Sequence, residues 1–154
     1  MDATRRIWVG VAALAGAVGL LGGCSAMQGM MGGDKMASGH TQQVTLSGDN
    51  EVPPVSTGAS GTGSVTVKMD HSVSVRITVA GMTPTAAHIH EAAAGVNGPV
   101  IVPLIKSGDY TFVTAEGAKL TDSQHESFKA GRTYLNVHSA KNPPGEIRVQ
   151  LKGN

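Results

Sequence analysis

Val65-Thr66-Val67-Lys68-Met69-Asp70-His71-Ser72-Val73-Ser74-Val75-Arg76-Ile77-Thr78-Val79 alternates apolar and polar side chains twice, on either side of a short polar break. Val65, Val67 and Met69 fall on one face and Thr66 and Lys68 on the other; after the break Val73, Val75, Ile77 and Val79 oppose Ser74, Arg76 and Thr78. Successive side chains of an extended chain point to opposite sides, so a period of two marks a strand with one face in a core and one in water. Asp70-His71-Ser72 is short enough for a tight hairpin, with His71 as a solvated turn residue.

Working outward, the same reading predicts strands over residues 42–47, 86–90, 100–105, 110–114, 133–138 and 146–152. In the last, Ile147, Val149 and Leu151 alternate with Glu146, Arg148 and Gln150, and an ion pair with a loop is expected of that polar face. Seven or eight short strands separated by Gly and Pro turns predict an all-β antiparallel sandwich. Pro53-Pro54 lacks ladder donors and should leave the sheet or follow its edge, with Glu51 before it in a structural role. Residues 120–131 break the pattern. Thr121 and Gln124 have capping-box spacing and Gly131 suits the left-handed position after a helix end, so a short crossover helix is expected, with His125 on its surface or at its cap.

Before residue 42 the chain reads differently. Arg5 and Arg6 precede an uncharged apolar run from Ile7 to Leu21, shorter than the roughly 20 residues of a membrane span and suited to an export signal. Leu21-Gly22-Gly23-Cys24 has the pattern of a lipobox, and Cys24 is the one cysteine of the sequence, so lipidation at Cys24 is expected and an internal disulfide is excluded. Ser25 follows rather than Asp, as in lipoproteins sent on to the outer membrane. The expected organisation is a signal peptide over 1–23, a Met- and Gly-rich tether over 24–41, and a β domain over 42–154. Met27, Met30, Met31, Met36 and His40 of the tether are either the incidental content of a low-complexity linker or soft ligands for Cu(I).

Charge is nearly balanced, with 12 Lys and Arg against 11 Asp and Glu, which gives no basic face for nucleic acid. Beyond the apolar run the aromatic side chains are Tyr110, Phe112, Phe128 and Tyr134, too few for a stacking platform.

Histidine is the concentrated source of chemistry. In Ala86-Ala87-His88-Ile89-His90 the two imidazoles share one side of a strand, and in Thr133-Tyr134-Leu135-Asn136-Val137-His138 the third falls on the side away from Leu135 and Val137. If these strands are neighbours, His88, His90 and His138 converge into a nitrogen-rich site of the kind that Cu(II), and secondarily Zn(II), accepts. The competing reading is a pair of histidines bracing the Gly-rich loop that follows.

Leu46-Ser47-Gly48-Asp49-Asn50-Glu51-Val52-Pro53-Pro54-Val55, Gly61-Thr62-Gly63, Ala87-His88-Ile89-His90, Gly95-Val96-Asn97-Gly98-Pro99-Val100, Gly131-Arg132-Thr133-Tyr134-Leu135-Asn136-Val137-His138 and Asn142-Pro143-Pro144-Gly145-Glu146-Ile147-Arg148 form an ordered series that resembles the CHRD domain, named from chordin. Glu91 stands where that family usually has Gly. The resemblance implies an immunoglobulin-like, Greek-key sandwich similar to the copper/zinc superoxide dismutase framework, which also places His-x-His on a strand. It supplies no settled activity.

Two functions follow as expectations. One is a copper-binding, lipid-anchored protein of the cell envelope, outer membrane in particular, that holds the metal on His88, His90 and His138, with His40 or water as a further ligand, and passes it to a protein partner; binding should fade as pH falls through about 6.5. The other is a metal-free structural or protein-interaction module. Superoxide dismutation would need a bridging histidine and a zinc set containing Asp, neither of which has a convincing spacing, so no enzyme activity is expected.

Overall fold

The structure, a computed structural model, describes residues 39–153. Eight strands run β1 (Gly39–Ser47), β2 (Ser60–Lys68), β3 (Val73–Ala80), β4 (Pro84–Glu91), β5 (Val100–Gly108), β6 (Thr111–Thr114), β7 (Thr133–Ser139) and β8 (Ile147–Gln150), with one helix, α1 (Asp122–Lys129), between β6 and β7. The signal and lipidation expectations, and Met27, Met30, Met31 and Met36 of the tether, lie outside the described residues. β1 begins three residues ahead of the expected domain boundary, so His40 belongs to the sheet.

The hairpin forms where its pattern places it, except that Met69, expected on the inner face with Val65 and Val67, lies past the end of β2 and is exposed. Val65, Val67, Val73, Val75, Ile77 and Val79 are buried in the core, and Val65 pairs with Val75 across the two strands. Asp70 closes the turn by accepting hydrogen bonds from the Ser72 amide and hydroxyl. His71 takes a left-handed backbone, φ 66°. Its ring is not merely solvated, however: it stacks on His125 with centroids 4.3 Å apart.

All strand pairs are antiparallel, in the spatial order β1-β2-β3-β6-β5-β4-β7-β8. Alternation predicts an antiparallel sandwich; the strands are antiparallel as expected, and hydrogen bonding links them further into a closed barrel, because short β6 pairs on both sides, with β3 and with β5. The last seam is narrow, a single pair Ser47 and Arg148 between β1 and β8. Curvature this tight needs close backbone approach. At Gly63 a Cβ would collide with the Arg76 carbonyl of β3, which accounts for a glycine in mid-strand.

The helix starts where its cap places it. The Thr121 hydroxyl accepts from the Gln124 amide, the Gln124 side chain accepts from the Thr121 amide, and Gly131 turns the chain with φ 68°. Phe128 enters the core from this helix, and Ser127 donates to the Glu91 carboxylate at the end of β4. The side chain of Glu91 thus ties strand to helix. His125 is buried, contrary to the surface role expected of it. The helix packs at the barrel end that carries the start of β1, the β2–β3 turn and the end of β4.

Candidate metal centre

The pairing on which a three-histidine site depends is present. β4 lies beside β7, with Ala86 opposite His138, His88 opposite Asn136 and His90 opposite Tyr134. Ala87, Ile89, Leu135 and Val137 face the core, which turns His88, His90, Asn136 and His138 outward on adjoining strands. One ring nitrogen from each of His88, His90 and His138 lies within 4.8 Å of the others. His40 does not join them. It shares the inner side of β1 with the buried Val44 and Leu46, against Phe128 with centroids 6.0 Å apart, and so is not brought to the cluster where a further-ligand role is expected of it.

The outer face here is not open to water as a simple half-buried strand would be. Residues 92–99 fold back over β7 and β8, and buried beneath the surrounding loops are Glu51, His90, Asn136, Glu146 and Arg148. Tyr134, also buried, stacks on His90 at 4.8 Å with planes 8° apart, and the Arg148 guanidinium sits 3.4 Å from the Tyr134 ring centre on the other side. Arg148 donates to the Asn97 side-chain oxygen and the Val96 carbonyl. Glu146 accepts from the Thr57 and Ser139 hydroxyls. The ion pair expected of that face is therefore replaced by hydrogen bonds to neutral groups.

Hydrogen bonding fixes the ring protons. A carbonyl only accepts, so the contact of His90 Nδ1 with the Gly98 carbonyl, 2.9 Å, places the proton on Nδ1 and leaves Nε2 a bare lone pair. His138 Nδ1 likewise donates to the Pro143 carbonyl at 2.8 Å, which leaves its Nε2 to accept from His88 Nδ1 at 2.9 Å. His90 Nε2 is buried with no hydrogen-bond partner. A ring held by a carbonyl on one nitrogen and unpartnered on the other is the arrangement that metal-ligating histidines adopt.

The donor set fits a transition metal. Metal–nitrogen bonds of about 2.0–2.1 Å put two tetrahedral ligands about 3.3 Å apart; the three ring nitrogens lie within 4.8 Å of one another, and those of His88 and His138 already 2.9 Å apart. Three imidazoles without a carboxylate favour copper or zinc over calcium or magnesium, which take oxygen.

Burial, with His138 and His90 adding to it, holds the His88 imidazole down to about 4. Burial also lowers His90, against the opposing hydrogen bond to Gly98. Protons therefore compete at His88 only near pH 4, below the 6.5 expected of a free ring. When the chain unfolds, His88 regains its ordinary affinity and takes a proton that the fold excludes. Its stabilising contribution is complete above 6.5 and is lost as pH falls toward about 4. Melting temperature should hold steady above that window and drop through it, and His88→Ala should flatten the drop; identical profiles would show that the ring charges as readily in the fold as out of it.

Two of these histidines stand in Ala87-His88-Ile89-His90 and the third closes Gly131 to His138, within one continuous match: the CHRD domain family covers residues 42–151. The chain belongs to the CHRD domain family. No curated protein and no solved structure matches it. Within this CHRD domain, alternation alone places Tyr134, Asn136 and Arg148 on the histidine face. What it does not carry is the loop that buries them.

Proposed function

We propose that this CHRD domain binds a transition metal, copper(II) first and zinc second, on His88, His90 and His138, and that it does so as a binding protein rather than an enzyme. The observation that supports it best is the pair of Nδ1-to-carbonyl hydrogen bonds, from His90 to Gly98 and from His138 to Pro143, which leave Nε2 of both rings without a proton, that of His90 unpartnered and that of His138 accepting from His88. When bound, such an ion is a Lewis acid or an electron carrier; the protein's part is to supply neutral, oriented imidazoles from rigid strands.

Around that site the proposal sets a lipid-anchored envelope protein, attached to the outer membrane through Cys24. Met27, Met30, Met31 and Met36 handle Cu(I), and a protein partner receives the metal. These parts rest on the lipobox pattern and on the preference of thioethers for Cu(I). The likeness to an immunoglobulin-like, Greek-key superoxide dismutase framework belongs to the proposal as well, supported by the antiparallel pairing, the non-sequential strand order and the His-x-His on β4.

Calorimetric titration of the full chain with Cu(II) and with Zn(II) tests the reading. One ion per chain is expected, with nitrogen couplings from histidine in the Cu(II) electron paramagnetic resonance spectrum. Absence of stoichiometric binding by either ion would return the domain to the interaction-module reading.

A further inference from the structure

Arg148 is the largest of the fully buried side chains, 1% exposed, yet among the described residues no carboxylate oxygen lies within 4.0 Å of its guanidinium. A charge taken out of water is expensive unless its donors are used, and a guanidinium has five. Here two bonds go to a loop, Nη1 to the Asn97 side chain at 3.0 Å and Nη2 to the Val96 carbonyl at 2.9 Å, and a longer one runs from Nη2 to the Gln150 side-chain oxygen at 3.4 Å. Its flat face goes to Tyr134. A cation spent in this way holds residues 92–99 down on the sheet.

That loop and that ring both support His90. Gly98 offers its carbonyl to His90 Nδ1 and its amide to the Tyr134 hydroxyl, 3.2 Å away, while the Tyr134 ring lies flat on the imidazole. Gly98 reaches this place only because it lacks a Cβ, which would strike the Glu91 carbonyl. Without the loop, Nδ1 would lose the carbonyl that distinguishes His90 from the same ring turned over, with Nδ1 and Nε2 exchanged. With the loop in place, Nδ1 is taken and Nε2 is left free.

We propose that Arg148 is the positioning residue of the histidine site: by clamping residues 92–99 and Tyr134 it decides which nitrogen of His90 carries the proton and which is presented as a ligand. The significance of this for metal binding rests on the function proposed above; its effect on the ring does not. Arg148 touches none of the donor nitrogens itself. Lysine cannot replace it, since a point charge on a flexible stem has neither the planar fork nor the face that stacks on Tyr134.

The test uses the full chain, wild type against Arg148→Lys. In metal-free protein, long-range proton–nitrogen correlation reads the tautomer of His90, which a purely structural role for Arg148 would leave alone. Wild type should show a single form with Nδ1 protonated; Arg148→Lys should show a mixture, with Cu(II) affinity lowered about 10- to 100-fold, the range for a lost partner behind a metal ligand. Asn97→Ala, which removes one acceptor of the clamp together with the Asn97 donor to the Val52 carbonyl, and Tyr134→Phe, which removes only the hydroxyl, carry the same two readouts if Arg148→Lys fails to fold. A folded Arg148→Lys protein with the wild-type tautomer and wild-type affinity overturns the inference while the metal reading stands. A variant whose tautomer scrambles, in a protein whose wild type takes up no metal, upholds the positioning role and overturns the metal reading.

Discussion

Replacing His88 and His90 together by alanine should weaken Cu(II) binding by more than about 100-fold, beyond the range seen when only a supporting partner of a ligand is removed. Two of the three donors go, and His138 alone offers one nitrogen. The fold should tolerate the change, because both side chains project from the outer face of β4 while Ala87 and Ile89 hold the strand in the core. The loop over His90 loses one hydrogen bond, that to the Gly98 carbonyl, and keeps those from Arg148 and Gln150 and that from the Gly98 amide to the Tyr134 hydroxyl. Titration by calorimetry, with circular dichroism to verify folding, makes the measurement. His40→Gln is the contrast: its ring faces inward against Phe128, so affinity should not change. A double variant that binds within a few-fold of wild type would mean the ions sit elsewhere, and substitution of Met27, Met30, Met31 and Met36 would be the next test.

The second large effect is expected in the core beneath α1. Phe128→Ala should destabilise the domain by about 3–5 kcal/mol, the range for a buried aromatic ring whose space the surroundings refill only in part. Phe128 is 1% exposed and enters the core from α1. A helix of eight residues has little stability of its own, so its docking depends on that ring and on the Thr121 cap. Chemical denaturation would read the change as a lower midpoint. The metal stoichiometry of the folded protein should stay the same, because the three histidines draw on β4, β7 and the loops around Gly98 and Pro143. A loss under about 1 kcal/mol would show that the end of the barrel closes without the ring.

These expectations separate what the sequence makes legible from what it does not. Period-two alternation identifies the inner faces of β2, β3, β4, β7 and β8, since one buried residue in two is a local property of each strand. The capping box of α1 is local in the same way. Whether strands stack as two layers or link into a ring depends on which edges find partners, and four-residue β6, paired on both sides, decides that here. His125 shows a similar limit: a histidine on a short polar helix gives no sign that the ring of His71, from a distant turn, covers it. At the candidate site, parity assembles His88, His90 and His138 once β4 and β7 are neighbours. The proton positions depend on two loop carbonyls, and the burial of Arg148 on a segment that crosses back over two strands, neither of which is encoded in strand periodicity.

Closure also governs how copies of this domain behave toward one another. An open sheet ends in strands whose unpaired amides and carbonyls invite another chain to add itself, the first step toward fibrous aggregation. In this ring each strand has a neighbour on both sides, and the sparsely bonded place is the seam where Ser47 meets Arg148. The residue that completes that seam with its backbone holds, with its side chain, the loop that covers the histidine face. Strand-by-strand self-association would therefore have to begin at the point where the domain also secures its imidazoles, and any ligand that rigidifies that face would guard the chain against it.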